Sequence, residues 1–276
     1  VIWAIGSPEK LHNCMNDERM SMEFLLVWDM GFWNDRNFAS LHKKEFDEAS
    51  ELLYDVFSKK VFWSYLEAQK GNIRDNLLCC TPGTYFNELT KGKRNGLFVD
   101  CGAYDGESSL MYMKFIGAES EVIAFEPDED NYQNLMRKMR NQAGLTCLKK
   151  GCYSAEKKLS FASNGDMTSS LQETGKGIVE VTTIDKAVGE RQVAFIKMDV
   201  EGAEYEALKG AKGTIERDMP ILAISAYHRQ EDLITLLPYI SKLHSQNEKY
   251  HLYLRHHSVV ASELVVYAVP VACLDS

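Results

Sequence analysis

Apolar and polar positions change in blocks along this chain, and each block predicts one element of secondary structure. Short, mostly apolar runs predict buried strands at "GLFVD", "EVIAFEPD", "LTCLKKGCYS", "QVAFIKMDVEG" and "PILAISAYH". Between them, helical patterns cover residues 108–115 and 129–140, "EYEALKGAKGTIERD" and "EDLITLLPYISKL". Because strands alternate with helices, the pattern predicts a doubly wound, mostly parallel α/β sheet.

The C-terminal half of the chain adds strands of a different kind. "KKLSFAS" and "GIVEVTTID" alternate as strands do, with a polar loop between them. "YHLYLRHHS" and "ELVVYAVP" predict a final pair of strands. Parallel neighbours need a connection of about a dozen residues or more, and this connection is too short. The sheet should therefore finish with an antiparallel C-terminal strand.

The N-terminal part predicts a separate lead-in. "VIWAIGS", "PEKLHNCMNDERM" and "SMEFLLVWD" predict a small β-α-β segment, and residues 45–69 carry apolar side chains at helical spacing. The predicted organisation is a β-α-β segment over residues 1–45, a helical lead-in over 46–95 and the main domain over 96–276. The N-terminal extension as a whole is expected to be mostly helical.

Composition and charge narrow the function classes. The 276 residues are 45% hydrophobic and 26% charged with a formal net charge of −9, and no basic face is evident, which argues against a nucleic-acid partner. No apolar run reaches the ~18 residues of a membrane span. The seven cysteines show no C-x-x-C pair, so reduced thiols and a cytoplasmic location are expected.

Glycines and one acid form a candidate nucleoside site where predicted strands end. Gly102 and Gly106 follow the strand "GLFVD", where they permit close backbone approach and helix packing. Glu126 ends the next strand, and a carboxylate there can accept hydrogen bonds from both ribose hydroxyls. This arrangement predicts a nucleoside ligand, while tight packing with a capping acid is the structural alternative.

The charges in the same loop favour one candidate cofactor over another. A dinucleotide fingerprint needs G-x-G-x-x-G, whereas this loop has a large Tyr104 between its glycines. Asp100 and Asp105 would repel a pyrophosphate and suit the sulfonium and ammonium groups of S-adenosylmethionine. Pro127 can pack against adenine. The loop therefore predicts a methyl donor, and the acceptor should be a small molecule or a glycan.

The strand "QVAFIKMDVEG" ends in acids that can serve methyl transfer. Asp199 is the first candidate for positioning or deprotonating a hydroxyl acceptor, or for binding Mg²⁺ if the reaction depends on that ion. His228 ends the following strand and is the second candidate base, since an unperturbed imidazole titrates near neutral pH. Glu201 is a third catalytic candidate. Glu201 and Glu204 could instead cap the following helix.

Four motifs carry a family resemblance over residues 50–270. "FVDCGAYDGES", "IAFEPDEDNYQNL", "TTID" and "FIKMDVEGAEYEALKGA" resemble the FkbM-type S-adenosylmethionine-dependent methyltransferases. The resemblance implies a seven-stranded, Rossmann-like class I methyltransferase sheet and O-methylation of hydroxyls on sugars or secondary metabolites. It implies a cofactor-binding set of Asp100, Cys101, Gly102, Ala103, Tyr104, Gly106, Ser108, Glu126, Pro127, Cys152, Tyr153 and Asp199.

One departure and two rival functions stay open at this point. Much of the family carries a carboxylate shortly before His228, where this chain has Ser225 and Tyr227. A nicotinamide-dependent oxidoreductase on a similar sheet is the first rival. The second is a non-catalytic interaction module that keeps the methyltransferase fold. Monomer and homodimer are both compatible with the sequence.

Overall fold

The computed structural model describes residues 35, 37–70, 74–91, 96–117, 120–162, 170–171, 177–246, 249–258 and 260–273. The predicted β-α-β segment at the N-terminus lies outside these residues. Eleven strands occur among those described: β1 Leu97–Cys101, β2 Val122–Phe125, β3 Leu145–Leu148, β4 Gly151–Cys152, β5 Lys157–Ala162, β6 Ser170–Leu171, β7 Gly177–Thr182, β8 Val193–Met198, β9 Ile221–Ser225, β10 Tyr250–His256 and β11 Leu264–Pro270.

Seven strands form the main sheet, in the order β10-β11-β9-β8-β1-β2-β3. β1 pairs in parallel with β2 and β8, and the parallel ladder continues to β3 and β9. β11 runs antiparallel to both β9 and β10. The predicted doubly wound sheet with an antiparallel C-terminal strand is confirmed. Of the described helices, none is long and apolar enough to cross a bilayer.

The predicted strand "LTCLKKGCYS" is wrong as one element, because the chain turns at residues 149–150. β3 pairs with β2 over four positions, and the N–H of Lys150 then donates to the carbonyl of Leu148 at 2.8 Å. β4 therefore joins a second sheet, ordered β4-β7-β5-β6, in which β5 and β7 are antiparallel. This small sheet flanks the carboxyl ends of the main strands.

Ten α-helices occur among the described residues: α1 Phe38–Leu41, α2 Lys43–Glu51, α3 Val56–Gln69, α4 Arg74–Leu77, α5 Glu107–Ile116, α6 Glu129–Met139, α7 Ile184–Val188, α8 Glu204–Lys209, α9 Lys212–Asp218 and α10 Asp232–Ile240. Single 3₁₀ turns cover Glu88–Thr90 and Val271–Cys273. The predicted bounds of α5 (108–115) and α6 (129–140) each lie within one residue of the bounds in the structure.

Two long predicted helices are each divided in the structure. The helical pattern over 45–69 breaks between α2 and α3, where the N–H of Tyr54 donates to the carbonyl of Leu252 at 2.8 Å and pairs this segment with β10. Asp55 then caps α3 by accepting from the N–H of Ser58. α8 ends at Gly210, where an added Cβ would lie 2.0 Å from the carbonyl oxygen of Tyr153. Both breaks follow from tertiary contacts that periodicity does not record.

Burial explains why the central strands are apolar throughout. Every residue of β1, β2, β8, β9 and β11 is buried, because helices cover both faces of the sheet. The parallel strands β1, β2, β8 and β9 all end at one edge, and ligands of open α/β sheets bind outside that edge. The fold therefore brings the loops after Cys101, Phe125, Met198 and Ser225 together.

Candidate active site

A cavity of about 500 Å³ opens at the carboxyl edge of the parallel strands. This volume is ample for a nucleoside ligand, since small-molecule sites commonly occupy about 300–1,000 Å³. Its walls come from the loops after β1, β2 and β8, from β4, from residues 83–85 and from one residue before β11. The polar and charged lining includes Tyr85, Tyr104, Asp105, Glu107, Ser108, Glu126, Asn131, Lys197, Asp199, Glu201 and Glu263.

The two glycines of the first loop allow two close approaches. Gly102 has φ of +76°, and an added Cβ would lie 1.8 Å from the carbonyl oxygen of Asp199. The same two loops are joined by the N–H of Asp199, which donates to the carbonyl of Cys101 at 3.0 Å. Gly106 has φ of +87° and precedes α5, where an added Cβ would lie 2.7 Å from Leu135 of α6. Only glycine fits both positions.

Glu126 is held in a single orientation at the cavity wall. Its Oε2 accepts from the N–H of Tyr104 at 2.9 Å, and its Oε1 accepts from the N–H of Asp128 at 2.9 Å. Burial raises the pKa of this carboxyl to about 7, although both backbone N–H groups favour the charged form. Glu126 therefore offers a preoriented carboxylate above neutral pH and a carboxylic acid below it.

Asp100 does not reach the cavity, and its role differs from the predicted one. It is fully buried and accepts from the hydroxyls of Ser108 and Ser109, each at 2.6 Å. Lys197 lies 3.2 Å from its other carboxylate oxygen and donates to the carbonyl of Gly102 at 2.6 Å. Asp100 thus joins β1 to α5 and β8, and supports the loop from behind.

The structure separates the predicted cofactor-binding set into two groups. The residues that line the cavity are Gly102, Ala103, Tyr104, Ser108, Glu126, Pro127, Cys152 and Asp199. Those that do not are Asp100, Cys101, Gly106 and Tyr153. Tyr153 instead lies beneath the ammonium group of Lys157, 4.3 Å from its ring centroid. For these four residues the cavity lining gives no support to a direct contact with the ligand, which stays a prediction.

Asp199 is the centre of the other end of the cavity. Tyr85 donates its hydroxyl to Oδ2 at 2.8 Å, and Tyr227 donates to Oδ1 at 3.3 Å. Burial opposes ionisation, but the charges of His228 and Lys197 outweigh it and hold the pKa of Asp199 below its ordinary value. Asp199 is therefore a charged hydrogen-bond acceptor with little tendency to take up a proton.

His228 is enclosed by three carboxylates and lies behind the cavity wall. Its Nδ1 is 2.9 Å from Oε1 of Glu204, and its Nε2 is 3.4 Å from Asp199 and 3.4 Å from Glu201. Burial opposes the charge, yet the carboxylates, Glu204 foremost, raise the pKa of His228 to about 10. A group that is already protonated cannot accept a proton at neutral pH. The surroundings of His228 thus favour a buried cation, and its role as a base stays a prediction.

Glu201 and Glu204 have separate roles at the start of α8. Glu204 is buried, and its Oε1 accepts from the N–H of Val200 at 2.9 Å in addition to its contact with His228. Glu201 lines the cavity with φ of +55°, and burial raises the pKa of its carboxyl to about 7. Glu204 therefore caps and anchors the loop, whereas Glu201 remains available to a ligand.

A metal ion has one candidate position among the described residues. Ligand atoms of Asp199, Glu204 and His228 lie within 4.8 Å of one another. The imidazolium charge of His228 already offsets part of the negative charge here, and Mg²⁺ prefers oxygen ligands to nitrogen. The predicted dependence on Mg²⁺ therefore gains no support from the geometry and stays a prediction.

Three residues at the Asp199 end of the cavity are not predicted from the sequence. Lys197 carried a signal, because a lysine in the middle of the buried run "VAFIKM" needs a partner inside the protein. Tyr85 belongs to no motif, whereas Glu263 begins the predicted strand "ELVVYAVP" without being predicted as a site residue, and both lie far along the chain from Asp199. No signal in the sequence brings them to this site.

Comparison with known proteins agrees with this architecture. The profile of the methyltransferase FkbM domain matches residues 100–257, more than half of the chain. The crystal structure of a methyltransferase FkbM from Methylobacillus flagellatus KT superimposes with a TM-score of 0.69 at 27% identity. The match covers 83% of this chain and 59% of that one, so this chain spans less than two thirds of that protein.

Other solved structures match with lower similarity. An rRNA methylase from Streptococcus thermophilus has a TM-score of 0.43 at 14% identity, with 66% of this chain and 90% of that chain covered. Fibrillarin from Aeropyrum pernix, which holds natively bound S-adenosyl-L-methionine, has a TM-score of 0.41 at 9% identity, with 65% and 68% covered. Among curated protein sequences, none matches this chain. On the match of its sequence to the domain profile, the chain belongs to the FkbM methyltransferase family.

Proposed function

We propose that this chain transfers a methyl group from S-adenosylmethionine to a hydroxyl group of a sugar, a glycan intermediate or a secondary metabolite. The charge of the cavity lining carries the proposal. Six lining residues are acidic, namely Asp105, Glu107, Glu126, Asp199, Glu201 and Glu263, whereas Lys197 is the one basic residue among the described lining. A cationic donor is attracted to such a wall, and the pyrophosphate of a nicotinamide dinucleotide is repelled.

The donor end of the cavity fits the adenosine part of the ligand. Glu126, fixed by two backbone N–H groups, would accept hydrogen bonds from the ribose hydroxyls. Pro127 and Cys152 provide apolar surface for adenine. The loop at Gly102 and Ala103 would hold the methionine part. When bound, S-adenosylmethionine supplies an electrophilic methyl group on a positively charged sulfur.

The Asp199 end of the cavity would receive the acceptor. Asp199, held by Tyr85 and Tyr227, orients an acceptor hydroxyl as a hydrogen-bond acceptor, and alignment is the main requirement of an in-line displacement. Glu201 then takes the hydroxyl proton, because a carboxyl whose pKa lies near 7 is matched to this task at neutral pH. His228 keeps both acids in place from behind. This assignment gives Asp199 and Glu201 the catalytic roles.

Several parts of the proposal extend beyond the site. The sugar or metabolite class of the acceptor follows from the family resemblance. A cytoplasmic location, a monomer or homodimer, the absence of a nucleic-acid partner and the division at residues 45 and 95 remain predictions from the sequence. Size-exclusion chromatography with light scattering would decide the oligomeric state.

Titration calorimetry with S-adenosylhomocysteine tests the donor assignment. We expect micromolar binding of this product and no binding of NADH. Because only the ionised form of Glu126 accepts two ribose hydroxyls, affinity should rise about tenfold from pH 6 to pH 8. Glu126→Gln should lower the affinity at pH 8 by about 10- to 100-fold and remove most of the pH dependence.

Glu121→Gln is the matched control, because Glu121 is exposed at the opposite end of β2. It should leave both affinity and pH dependence unchanged. Binding of NADH in preference to S-adenosylhomocysteine would overturn the methyl-donor assignment and favour the oxidoreductase. Binding of neither ligand would favour the interaction module.

A further inference from the structure

Backbone strain is concentrated around the cavity. Five described residues other than glycine have φ in the left-handed region: Tyr85 (65°), Tyr104 (51°), Glu201 (55°), Met219 (48°) and Glu263 (63°). All but Met219 line the cavity. Such strain persists where the surroundings enforce it, commonly at functional sites. Of the four, Glu263 is the residue to which neither the sequence nor the proposed mechanism gives a role.

The loop before β11 is fixed in place by buried groups. His256 is neutral, because burial lowers its pKa to about 4, and its Nε2 can donate to carbonyl oxygens. The carbonyl groups of the loop accept from side chains as follows: Ser258 from Cys80 (2.8 Å), Val260 and Ser262 from His256 (2.9 Å each) and Ala261 from Tyr65 (2.8 Å). The carbonyl of Glu263 itself accepts from the N–H of His257 at 3.0 Å. The backbone beneath Glu263 is therefore rigid and preoriented.

The surroundings of the Glu263 side chain place it at the acceptor end. Burial raises the pKa of its carboxyl to about 7, and the charges that act on it next are those of Asp199, Lys197 and His228. Lys197 gives it little compensation, because its ammonium group is already shared between Asp100 and the carbonyl of Gly102. Three acids, Asp199, Glu201 and Glu263, thus face the space beyond the donor.

We propose that Glu263 binds the acceptor and, with Asp199 and Glu201, selects neutral or cationic hydroxyl compounds over anionic ones. This inference rests on the proposed function and adds a specificity-determining residue to it. A hydroxyl group donates readily to a carboxylate, whereas a carboxylate or phosphate on the acceptor would meet the charge of Asp199, joined above pH 7 by those of Glu201 and Glu263. The fixed backbone of Glu263 sets the point from which its side chain enters the cavity.

Three related sugars test the selection. The chain saturated with S-adenosylhomocysteine is titrated with methyl glucoside, methyl glucosaminide and methyl glucuronide, and binding is followed by saturation-transfer NMR. We expect the neutral and cationic sugars to bind, with the anionic sugar weaker by about tenfold or more. Glu263→Gln should lower the ratio of the affinity for the neutral sugar to that for the anionic sugar by about threefold or more. Glu263→Asp keeps the charge, and it should bind methyl glucuronide as weakly as the unmodified chain does.

Two controls separate this inference from the proposed function. Binding of S-adenosylhomocysteine by each variant reports that the fold and the donor end are intact. Glu121→Gln removes the same charge at a distant exposed position and should leave the sugar ratio unchanged. If Glu263→Gln binds S-adenosylhomocysteine but leaves the neutral-to-anionic ratio as in the unmodified chain, the inference is overturned. It is equally overturned if no sugar binds to a chain that binds S-adenosylhomocysteine.

Discussion

The two ends of the cavity are built in different ways. The donor end consists mainly of two consecutive loops, after β1 and β2, together with Cys152 of β4, and its main contacts join neighbours such as Tyr104 and Glu126, 22 residues apart. The acceptor end is assembled from distant segments, and Tyr85 reaches Asp199 across 114 residues. The donor end thus follows from local sequence, whereas the acceptor end exists only once the whole sheet has formed.

The two ends also differ in electrostatics. At the donor end one carboxylate, Glu126, is satisfied by two backbone N–H groups. At the acceptor end the side chains of Asp199 and Glu201 share the buried cation His228, and within the described part of the chain neither accepts from a backbone N–H group. Backbone groups keep their dipoles at any pH, but a charge cluster changes with each proton. We therefore expect the backbone contacts at the donor end to change less with pH than the ion pairs at the acceptor end.

Gly102 joins the two ends, and its replacement should have the largest effect. In Gly102→Ala the new Cβ would lie 1.8 Å from the carbonyl oxygen of Asp199, so β1 and β8 would have to separate. We expect a loss of about 5 kcal/mol in unfolding free energy, enough to unfold many domains, measured by urea denaturation. Gly117→Ala is the control, because Gly117 also has positive φ (+138°) but an added Cβ would meet no atom within 4 Å. Gly117→Ala should lower the unfolding free energy by about 1 kcal/mol. Equal losses in both variants would show that close approach at Gly102 is unimportant.

His228→Gln should have the next largest effect, confined to the acceptor end. The change leaves Asp199, Glu201 and Glu204 without their shared cation, and removing one partner of a buried ionic group costs about 3 kcal/mol. Affinity for S-adenosylhomocysteine should stay within about threefold, because Glu126 lies at the other end. Chemical denaturation measures the loss of stability, and titration calorimetry measures the affinity for S-adenosylhomocysteine. His244→Gln, at an exposed histidine, should be neutral in both.

The pH dependence of stability sharpens the same test. The pKa of His228 is raised from 6.5 to about 10 in the folded chain, so the stabilisation from its charge is complete below about pH 6.5. It is then lost as the pH rises to about 10. The unmodified chain should lose stability across this window, and His228→Gln should lose distinctly less. Parallel curves for the two proteins would contradict the buried cation.

The contrast between the two ends also explains how far the sequence could be interpreted. Hydrophobic periodicity predicts the sheet, because strand and helix spacing is local, and Glu126 could be predicted from its place at a strand end. The breaks after α2 and after α8 could not, since a bridge to Leu252 and the approach of Gly210 to Tyr153 decide them. The charge of Asp100 suits a cationic ligand and predicts a place in the site, but in the structure Asp100 is buried and accepts from two serine hydroxyls.

The charge state of the acceptor end was the hardest feature to anticipate. His228 was expected to titrate near its ordinary pKa, because the sequence does not show that Glu201 and Glu204 fold back around it. Glu263 begins the predicted strand "ELVVYAVP", but that pattern does not place it in the site, which it reaches through the antiparallel return of β11. Residues that a family motif groups together are thus predictable, whereas those that a distant strand delivers are not.

Tyr85→Phe should have the smallest effect and should act on the acceptor end alone. The phenol of Tyr85 donates to Asp199, and the N–H of Tyr85 donates in turn to the hydroxyl of Tyr267 at 3.0 Å, which holds the loop in place without the phenol. The substitution therefore removes one hydrogen bond and no packing, and should cost about 1 kcal/mol of stability. Tyr112→Phe is the control, because Tyr112 is equally buried but stacks on Phe98 away from Asp199.

For the same substitution, turnover with an acceptor should fall while affinity for S-adenosylhomocysteine is retained, because Tyr85 orients Asp199 and contacts no part of the donor end. Rotation of a freed Asp199 carboxylate would misplace the acceptor hydroxyl, and small misalignments are costly in an in-line displacement. A matching fall in donor affinity would instead mean that Tyr85 serves both ends. The division of the cavity into a locally built donor end and a long-range acceptor end would then be wrong.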